Sequence, residues 1–271
     1  MIEKNKARIK EREEIKKHIV MSKPRQISLF NRIITILHEL NAKVINFYLQ
    51  TDTHKKEFRE DIPKQLVQTL FKKSISQTES ILILIENGKY LEAYSLLRNL
   101  FESAIFLLYI TEYPFEAERW LNFQKMDFKV QMQYKKNNKK LHDFKNFLTK
   151  NNHRELLNCI NSDNFQDYRD FSIWFIREQA FKKHSSIDGD DFKEFYFQLS
   201  KFVHPSIAAL NYNDKLSETH FDDIFADILY IAKRVGDIYI SYFQNILLSR
   251  DTYQQFLHIK EEIGQNLAKI H

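Results

Sequence analysis

The stretch YLEAYSLLRNLFESAIFLLYI, residues 90–110, decides the fold of this chain. Its apolar residues recur at intervals of three and four, which is the period of an α-helix. An Asn-Gly pair that commonly ends helices precedes it, and Pro114 stops it. Residues 104–110 carry no polar side chain except the Tyr109 hydroxyl. We therefore predict a central helix that is buried on all sides over residues 104–110.

Arg98 and Glu102 stand one turn apart on the polar stripe of this helix. One interpretation is a solvated stripe, in which such an ion pair contributes a few tenths of a kcal/mol. The other is a partly buried polar site. Glu102 lies at the edge of the apolar run, and a carboxylate near a core is normally paired or hydrogen-bonded. The sequence leaves both interpretations open.

Composition favours a helical architecture. Only 4 Gly and 4 Pro leave few turn residues for sandwiches or barrels, and 23 Phe with 13 Tyr indicate an aromatic core. We predict an all-α, multi-helix bundle built on an antiparallel helical hairpin of residues 63–88 and 90–110. Asp61 and Pro63 are the predicted N-cap and first-turn residues of the first hairpin helix.

The chain divides into two unequal parts. Residues 1–24 are highly charged and form a predicted N-terminal helix or extension, whereas residues 25–271 form a single helical domain. The charged N-terminus lacks the apolar core of a signal peptide, and no run reaches the ~18 apolar residues of a membrane span. One cysteine, Cys159, excludes an internal disulfide. We expect a cytoplasmic protein with no membrane partner.

A second stretch, FYFQLSKFVHPS at residues 195–206, is the predicted partner of Arg98 and Glu102. Tyr196, Ser200 and His204 lie at i, i+4 and i+8, so they share one helix face. A structural interpretation makes them a cap at the helix end that Pro205 enforces.

A functional interpretation places five candidate catalytic residues in one cleft. They offer an anion binder, a carboxylate, two hydroxyls and a titratable base. These residues are Arg98, Glu102, Tyr196, Ser200 and His204.

The positive charge of the chain is concentrated in one place. The formal net charge is +5, yet residues 129–150 hold seven lysines and a single acidic residue. A basic patch of this kind can face nucleic acid, although it is also typical of a solvated helix end or loop. The candidate nucleic-acid-binding residues are Lys135, Lys136, Lys139 and Lys140.

Two motifs carry a resemblance to a known family. The first is R-x-L-x-E, and the second is Y-x-x-L-S-x-x-V-H-P-S. Here they are formed by Arg98, Leu100 and Glu102, then by Tyr196, Leu199, Ser200, Val203, His204, Pro205 and Ser206. Over roughly residues 81–210 the chain resembles an uncharacterised bacterial, all-helical family of unknown function. The resemblance supports the pairing of the two motifs.

More distantly, the chain resembles the HEPN superfamily. Its members are all-α bundles, often dimeric, and many are metal-independent ribonucleases in toxin or phage-defence systems. Their active helix carries Arg and His separated by four to six residues. The pairs with that spacing here are Arg12/His18, Arg32/His38 and Arg177/His184, and none has the Asn, Asp or His that usually follows the arginine.

The resemblance implies a HEPN-like ribonuclease or defence effector. We assign the roles of phosphate binder and acid/base to Arg98 and His204, which lie on two helices and so differ from the usual HEPN arrangement on one helix. The expected partners are RNA and a second copy of the chain. The alternative is a non-enzymatic binding or regulatory module with a structural network of the same residues. No Walker A, dinucleotide, H-E-x-x-H or EF-hand motif is present. We expect no cofactor and no metal.

Overall fold

The computed structural model describes residues 23–118, 120–121, 141–150, 152, 154, 157, 196, 199–200, 218–247, 253–259 and 261. Over these residues the chain is helical and contains no strand. The elements are α1 (Lys23–Leu49), α2 (Asp52–Glu60), α3 (Ile62–Glu86), α4 (Tyr90–Glu112), a 3₁₀ turn (Pro114–Glu116), α5 (Leu141–Lys150), α6 (Glu218–Tyr242) and α7 (Gln244–Leu247). The all-α prediction is confirmed.

The sequence pattern predicts the first helix but not the second. α1 buries Phe30 and Leu37 on one face, as its helical period predicts. α2 has no buried residue, so hydrophobic periodicity does not reveal it. Its start is fixed instead by Thr51, whose Oγ1 accepts a hydrogen bond from the backbone N of His54 at 3.1 Å.

α3 begins as the sequence predicts. Asp61 is its N-cap, and the Asp61 Oδ1 accepts a hydrogen bond from the backbone N of Lys64 at 2.9 Å. Pro63 lies in the first turn, where its missing N–H is not needed. The predicted roles of Asp61 and Pro63 are therefore confirmed.

α3 and α4 are joined by a turn of three residues, 87–89. Gly88 has a φ of +70°, a conformation that glycine adopts without the steric strain of a side chain. The backbone N of Lys89 donates to the carbonyl of Leu84 at 2.8 Å, which satisfies an acceptor at the end of α3. These two helices share the most extensive contact among the described elements, so the chain doubles back here.

The central helix α4 is buried over most of residues 104–110, as predicted. The prediction is wrong at one position, because Phe106 is only half-buried. Phe106 follows Glu102 by one turn and therefore lies on the same face as the polar stripe. No described neighbour covers this face of α4 completely, so apolar composition did not ensure burial.

α6 completes the core by packing against α1, α3 and α4. The Tyr239 ring of α6 stacks on the Phe71 ring of α3, with centroids 3.6 Å apart and planes at 8°. The Phe225 ring contacts the Phe30 ring of α1 with centroids 5.7 Å apart. Aromatic side chains from three helices thus fill the centre of the bundle, in line with the composition.

Residues 253–259 form a further helical segment that packs on α6 at Gly236. A Cβ atom at position 236 would lie 2.6 Å from two ring atoms of Phe256 and 3.3 Å from the Leu37 Cδ2. Glycine therefore allows the two helices to approach closely here without a shift of these side chains. None of the described helices has the length and apolarity that a bilayer crossing requires. The predicted domain boundary at residue 24 stays a prediction, since residues 1–22 lie outside the described part of the chain.

Candidate functional site

α4 presents Arg98 and Glu102 on one face because four residues make about one helical turn. The Arg98 Nε donates to the Glu102 Oε1 at 3.2 Å. The two side chains are 18% and 30% exposed. The ion pair is therefore partly buried, which agrees with the second of the two interpretations that the sequence left open.

Tyr196 brings the second motif to this ion pair from 98 residues further along the chain. Its hydroxyl donates to the Glu102 Oε1 at 2.9 Å and accepts from the Arg98 Nη2 at 2.6 Å. The Arg98 guanidinium carbon also lies 4.8 Å from the centroid of the Tyr196 ring, a cation–π distance. We call Arg98, Glu102 and Tyr196 the Arg98 cluster.

The environment of Tyr196 keeps its hydroxyl protonated. Burial raises the pKa of Tyr196, and the hydrogen bond to the neighbouring Glu102 carboxylate raises it further. The Arg98 guanidinium lowers the same pKa and offsets part of this effect. The net shift is upward from the ordinary value near 10. The Tyr196 hydroxyl therefore stays a proton donor to Glu102 across the physiological pH range.

The Arg98 cluster leaves polar atoms unused. A guanidinium carries five N–H donors and a carboxylate offers two oxygens. Within the described part of the chain, the bonds of Arg98 use its Nε and Nη2, and those of Glu102 use its Oε1. The Arg98 Nη1 and the Glu102 Oε2 are thus left over on side chains that are partly exposed. A ligand that both accepts and donates hydrogen bonds would match this pair.

The structure does not bring Ser200 into the Arg98 cluster. The Ser200 Oγ donates to the backbone carbonyl of Tyr196 at 2.7 Å, one turn earlier on the same helix. Serine commonly bonds to its own helix in this way, and the bond occupies the hydroxyl proton. The predicted catalytic role of Ser200 stays a prediction. His204 and the four candidate lysines of the basic patch lie outside the described residues.

Of the three Arg/His pairs with HEPN-like spacing, only Arg32 and His38 lie in the described part of the chain. The His38 Nε2 contacts the Glu79 Oε1 at 2.6 Å, and both side chains are exposed. This contact joins α1 to α3 rather than to the Arg98 cluster. Among the described residues, no three His, Cys, Asp or Glu side chains gather as metal ligands would.

Phe106 and Trp120 extend the face that carries the Arg98 cluster, and sequence reasoning missed them as site residues. Their ring centroids are 5.3 Å apart with planes at 54°, and both residues are half-buried. The available signal was the spacing, because Arg98, Glu102 and Phe106 follow one another at i, i+4 and i+8.

A comparison with protein-family models gives one family. The model of DUF5677, a family of unknown function, matches residues 64–221, more than half of the chain. The chain belongs to the DUF5677 family. The DUF5677 match extends beyond residues 81–210 on both sides and includes all three members of the Arg98 cluster. Comparisons with the curated proteins and with the solved structures gave no significant match.

Membership of DUF5677 confirms the expected resemblance to an uncharacterised family, and the described residues agree with an all-helical one. The assignment of the two motifs to this family and the likeness to HEPN proteins stay predictions.

The closed geometry of the Arg98 cluster predicts energetic coupling between its members. We expect Glu102→Gln and Tyr196→Phe each to lower the free energy of unfolding by about 1 kcal/mol, the usual net value of a hydrogen bond. The double variant should lose less than the sum, because both changes act on the same bond: Tyr196→Phe removes it, and Glu102→Gln removes the charge that strengthens it. Urea unfolding of the four proteins gives the coupling energy, which should exceed about 0.5 kcal/mol.

A matched control for this cycle is the exposed pair of Asp52 and Lys55 on α2, whose Nζ–Oδ1 distance is 3.0 Å. Solvent screens such pairs, so Asp52→Asn and Lys55→Met should be additive. Additive effects at Glu102 and Tyr196 as well would contradict the geometry of the Arg98 cluster.

Proposed function

We propose that this protein is a HEPN-like ribonuclease that acts as a toxin or phage-defence effector. The observation that carries the proposal is the unused donor and acceptor of the Arg98 cluster. RNA presents the complementary groups at every linkage, because a phosphate oxygen accepts and the adjacent 2′-hydroxyl donates. The Arg98 Nη1 would bind the phosphate, and the Glu102 Oε2 would accept from the 2′-hydroxyl.

This arrangement suits strand cleavage by the substrate's own 2′-hydroxyl. The Glu102 carboxylate takes the proton of that hydroxyl as general base, and the oxygen forms a bond to phosphorus. The bond between phosphorus and the 5′-oxygen breaks, and the leaving oxygen takes a proton from the His204 imidazolium. Arg98 offsets the charge that builds up on the phosphate oxygens. The products are a 2′,3′-cyclic phosphate and a 5′-hydroxyl end.

The Tyr196 hydroxyl has a positioning role in this scheme. It holds the Glu102 Oε1 at 2.9 Å and the Arg98 Nη2 at 2.6 Å, so base and cation are fixed relative to each other. Fixed geometry of this kind reduces the reorganisation needed during reaction. The basic patch at Lys135, Lys136, Lys139 and Lys140 is the proposed contact with the rest of the RNA backbone. A homodimer is the proposed assembly, on the likeness to HEPN proteins alone.

A second candidate function is a non-enzymatic binding or regulatory module. One observation favours it: Arg98, Glu102 and Tyr196 satisfy one another in a closed ring of hydrogen bonds. The Arg98 cluster then has no net charge and ties the helix of Tyr196 to α4. In this candidate function the cluster is structural, and its unused atoms face water.

Growth on induced expression tests the proposal. The wild-type chain should arrest growth, and His204→Ala should relieve the arrest because the leaving oxygen loses its proton donor. His38→Ala is the matched control, since His38 lies on α1 and pairs with Glu79; it should arrest growth like the wild type. Equal thermal unfolding of both variants shows that they fold.

Two results would overturn the ribonuclease proposal. One is growth arrest that His204→Ala leaves unchanged. The other is a folded wild-type chain that neither arrests growth nor cleaves added RNA, which supports the non-enzymatic module.

A further inference from the structure

Phe106 continues the face of α4 that carries the Arg98 cluster. Successive members of an i, i+4, i+8 series lie about 6 Å apart on the helix surface, so Phe106 is the direct neighbour of Glu102. It is half-buried, although the residues around it in the sequence are buried. A partly exposed aromatic residue thus lies next to Glu102 on this face of α4.

Trp120 widens this ring into a surface. Its ring centroid lies 5.3 Å from that of Phe106, and the residue is half-buried. The indole Nε1 is shielded from solvent and has no hydrogen-bond partner within the described residues. A shielded N–H cannot reach a ligand oxygen, so only the ring of Trp120 can contact a ligand. We call Phe106 and Trp120 the aromatic pair.

We propose that the aromatic pair stacks a base of single-stranded RNA whose phosphate is held by the Arg98 cluster. The inference rests on the proposed function for its choice of RNA, and it adds that the substrate must be single-stranded at this point. Aromatic side chains beside a cation are the usual means of binding unpaired nucleotides. A paired base is already stacked inside its duplex and offers no face to an aromatic ring.

The distance along α4 from Arg98 to Phe106 is short enough for one or two nucleotides to span. Arg98 and Phe106 are eight residues apart, which is about 12 Å along the helix axis. A phosphate at the Arg98 Nη1 and a base at the aromatic pair then belong to the same or neighbouring nucleotides. Stacking tolerates every base because each has a π-face. The aromatic pair therefore selects unpaired strands rather than one sequence.

Tryptophan fluorescence tests the inference directly. The chain has 2 Trp, and Trp174→Phe leaves Trp120 as the single reporter. Titration with a mixed-sequence, fully 2′-deoxy oligonucleotide separates binding from cleavage, because that strand has no attacking hydroxyl. We expect quenching of Trp120 by the single strand, and little quenching by the same strand made abasic or paired with its complement.

Phe106→Leu in the same background measures the contribution of stacking while keeping an apolar side chain. We expect affinity for the single strand to fall at least about fivefold, the lower end for loss of one aromatic stack. The matched control is Phe115→Leu. Phe115 is 73% exposed in the nearby 3₁₀ turn and packs against Tyr113 instead, so its replacement should leave affinity unchanged.

The outcomes separate this inference from the proposed function. Quenching that requires bases, in a protein that cleaves no RNA, would support the aromatic pair and overturn the ribonuclease. RNA cleavage with no quenching, or with equal quenching by the abasic strand, would overturn the aromatic pair and leave the ribonuclease standing. Equal effects of Phe106→Leu and Phe115→Leu would also overturn the inference.

Discussion

Replacing Arg98 by Gln is expected to lower the rate of the proposed RNA cleavage by about 100- to 1,000-fold, the usual cost of removing one preorganised donor to a developing anion. Gln keeps a polar side chain but removes the positive charge and the donor at Nη1. It also frees Glu102 and Tyr196 from their shared partner, so the base loses its fixed position. The measurement is the initial cleavage rate of a single-stranded RNA that carries a fluorophore and a quencher.

Arg98→Lys gives an intermediate case. Lysine keeps the charge but lacks the planar fork that bonds to Glu102 and Tyr196 at once. We expect the Arg98→Lys variant to cleave RNA at a rate between that of the Arg98→Gln variant and that of the wild type. Arg59→Gln on the exposed surface of α2 is the matched control, because it makes the same change in net charge. A normal rate for Arg98→Gln, or an equal loss for Arg59→Gln, would contradict the proposed role of Arg98.

Replacing Gly236 by Ala is expected to destabilise the protein, although Ala is normally the better residue inside a helix. The propensity gain is about 1 kcal/mol. Against it, the new Cβ would lie 2.6 Å from two ring atoms of the buried Phe256 and 3.3 Å from the buried Leu37 side chain. Overpacking of a core costs about 1–3 kcal/mol. We expect the clash to exceed the gain, with a net loss of up to about 2 kcal/mol in urea unfolding.

The sign of the Gly236→Ala effect should reverse when the obstacle is removed. Phe256→Leu eliminates the ring atoms that the Cβ meets. In that background Gly236→Ala should be neutral or stabilise by up to about 1 kcal/mol. The difference between the effects of Gly236→Ala on the free energy of unfolding in the two backgrounds is the coupling energy that close packing of the helices predicts. Destabilisation of the same size in both would mean that Phe256 is not the cause.

The spacing and type of residues along the chain were enough to predict much of the fold. They were not enough where the burial of a residue depends on which other helix packs against it. The period of α1, the cap at Asp61 and the stop at Gly88 follow from residue type and spacing, and the structure agrees at each. α2 was missed because it buries no residue. The exposure of Phe106 was missed because the sequence of a helix shows which residues share a face, but not how far another element covers that face.

The candidate site was only partly predictable. The i, i+4 relation of Arg98 and Glu102 is local, whereas their contact with Tyr196 joins residues 98 positions apart. No periodicity reports such a pairing, and the expectation came from the resemblance of two motifs to one family. Ser200 shows that a correctly predicted position on a helix does not fix the contacts of the side chain. Its helix position was right, yet its hydroxyl bonds to its own backbone, a local competition that spacing alone cannot exclude.

The long separation between Arg98 and Tyr196 has a consequence for synthesis of the protein. α3 and α4 are neighbours in the chain and can pack as soon as both leave the ribosome, since contacts between nearby segments form first. The Arg98 cluster cannot close until Tyr196 has also emerged, 98 residues later. At 5–20 residues per second this takes roughly 5–20 s. A nascent chain therefore carries an incomplete site while it is still attached to the ribosome and surrounded by ribosomal RNA.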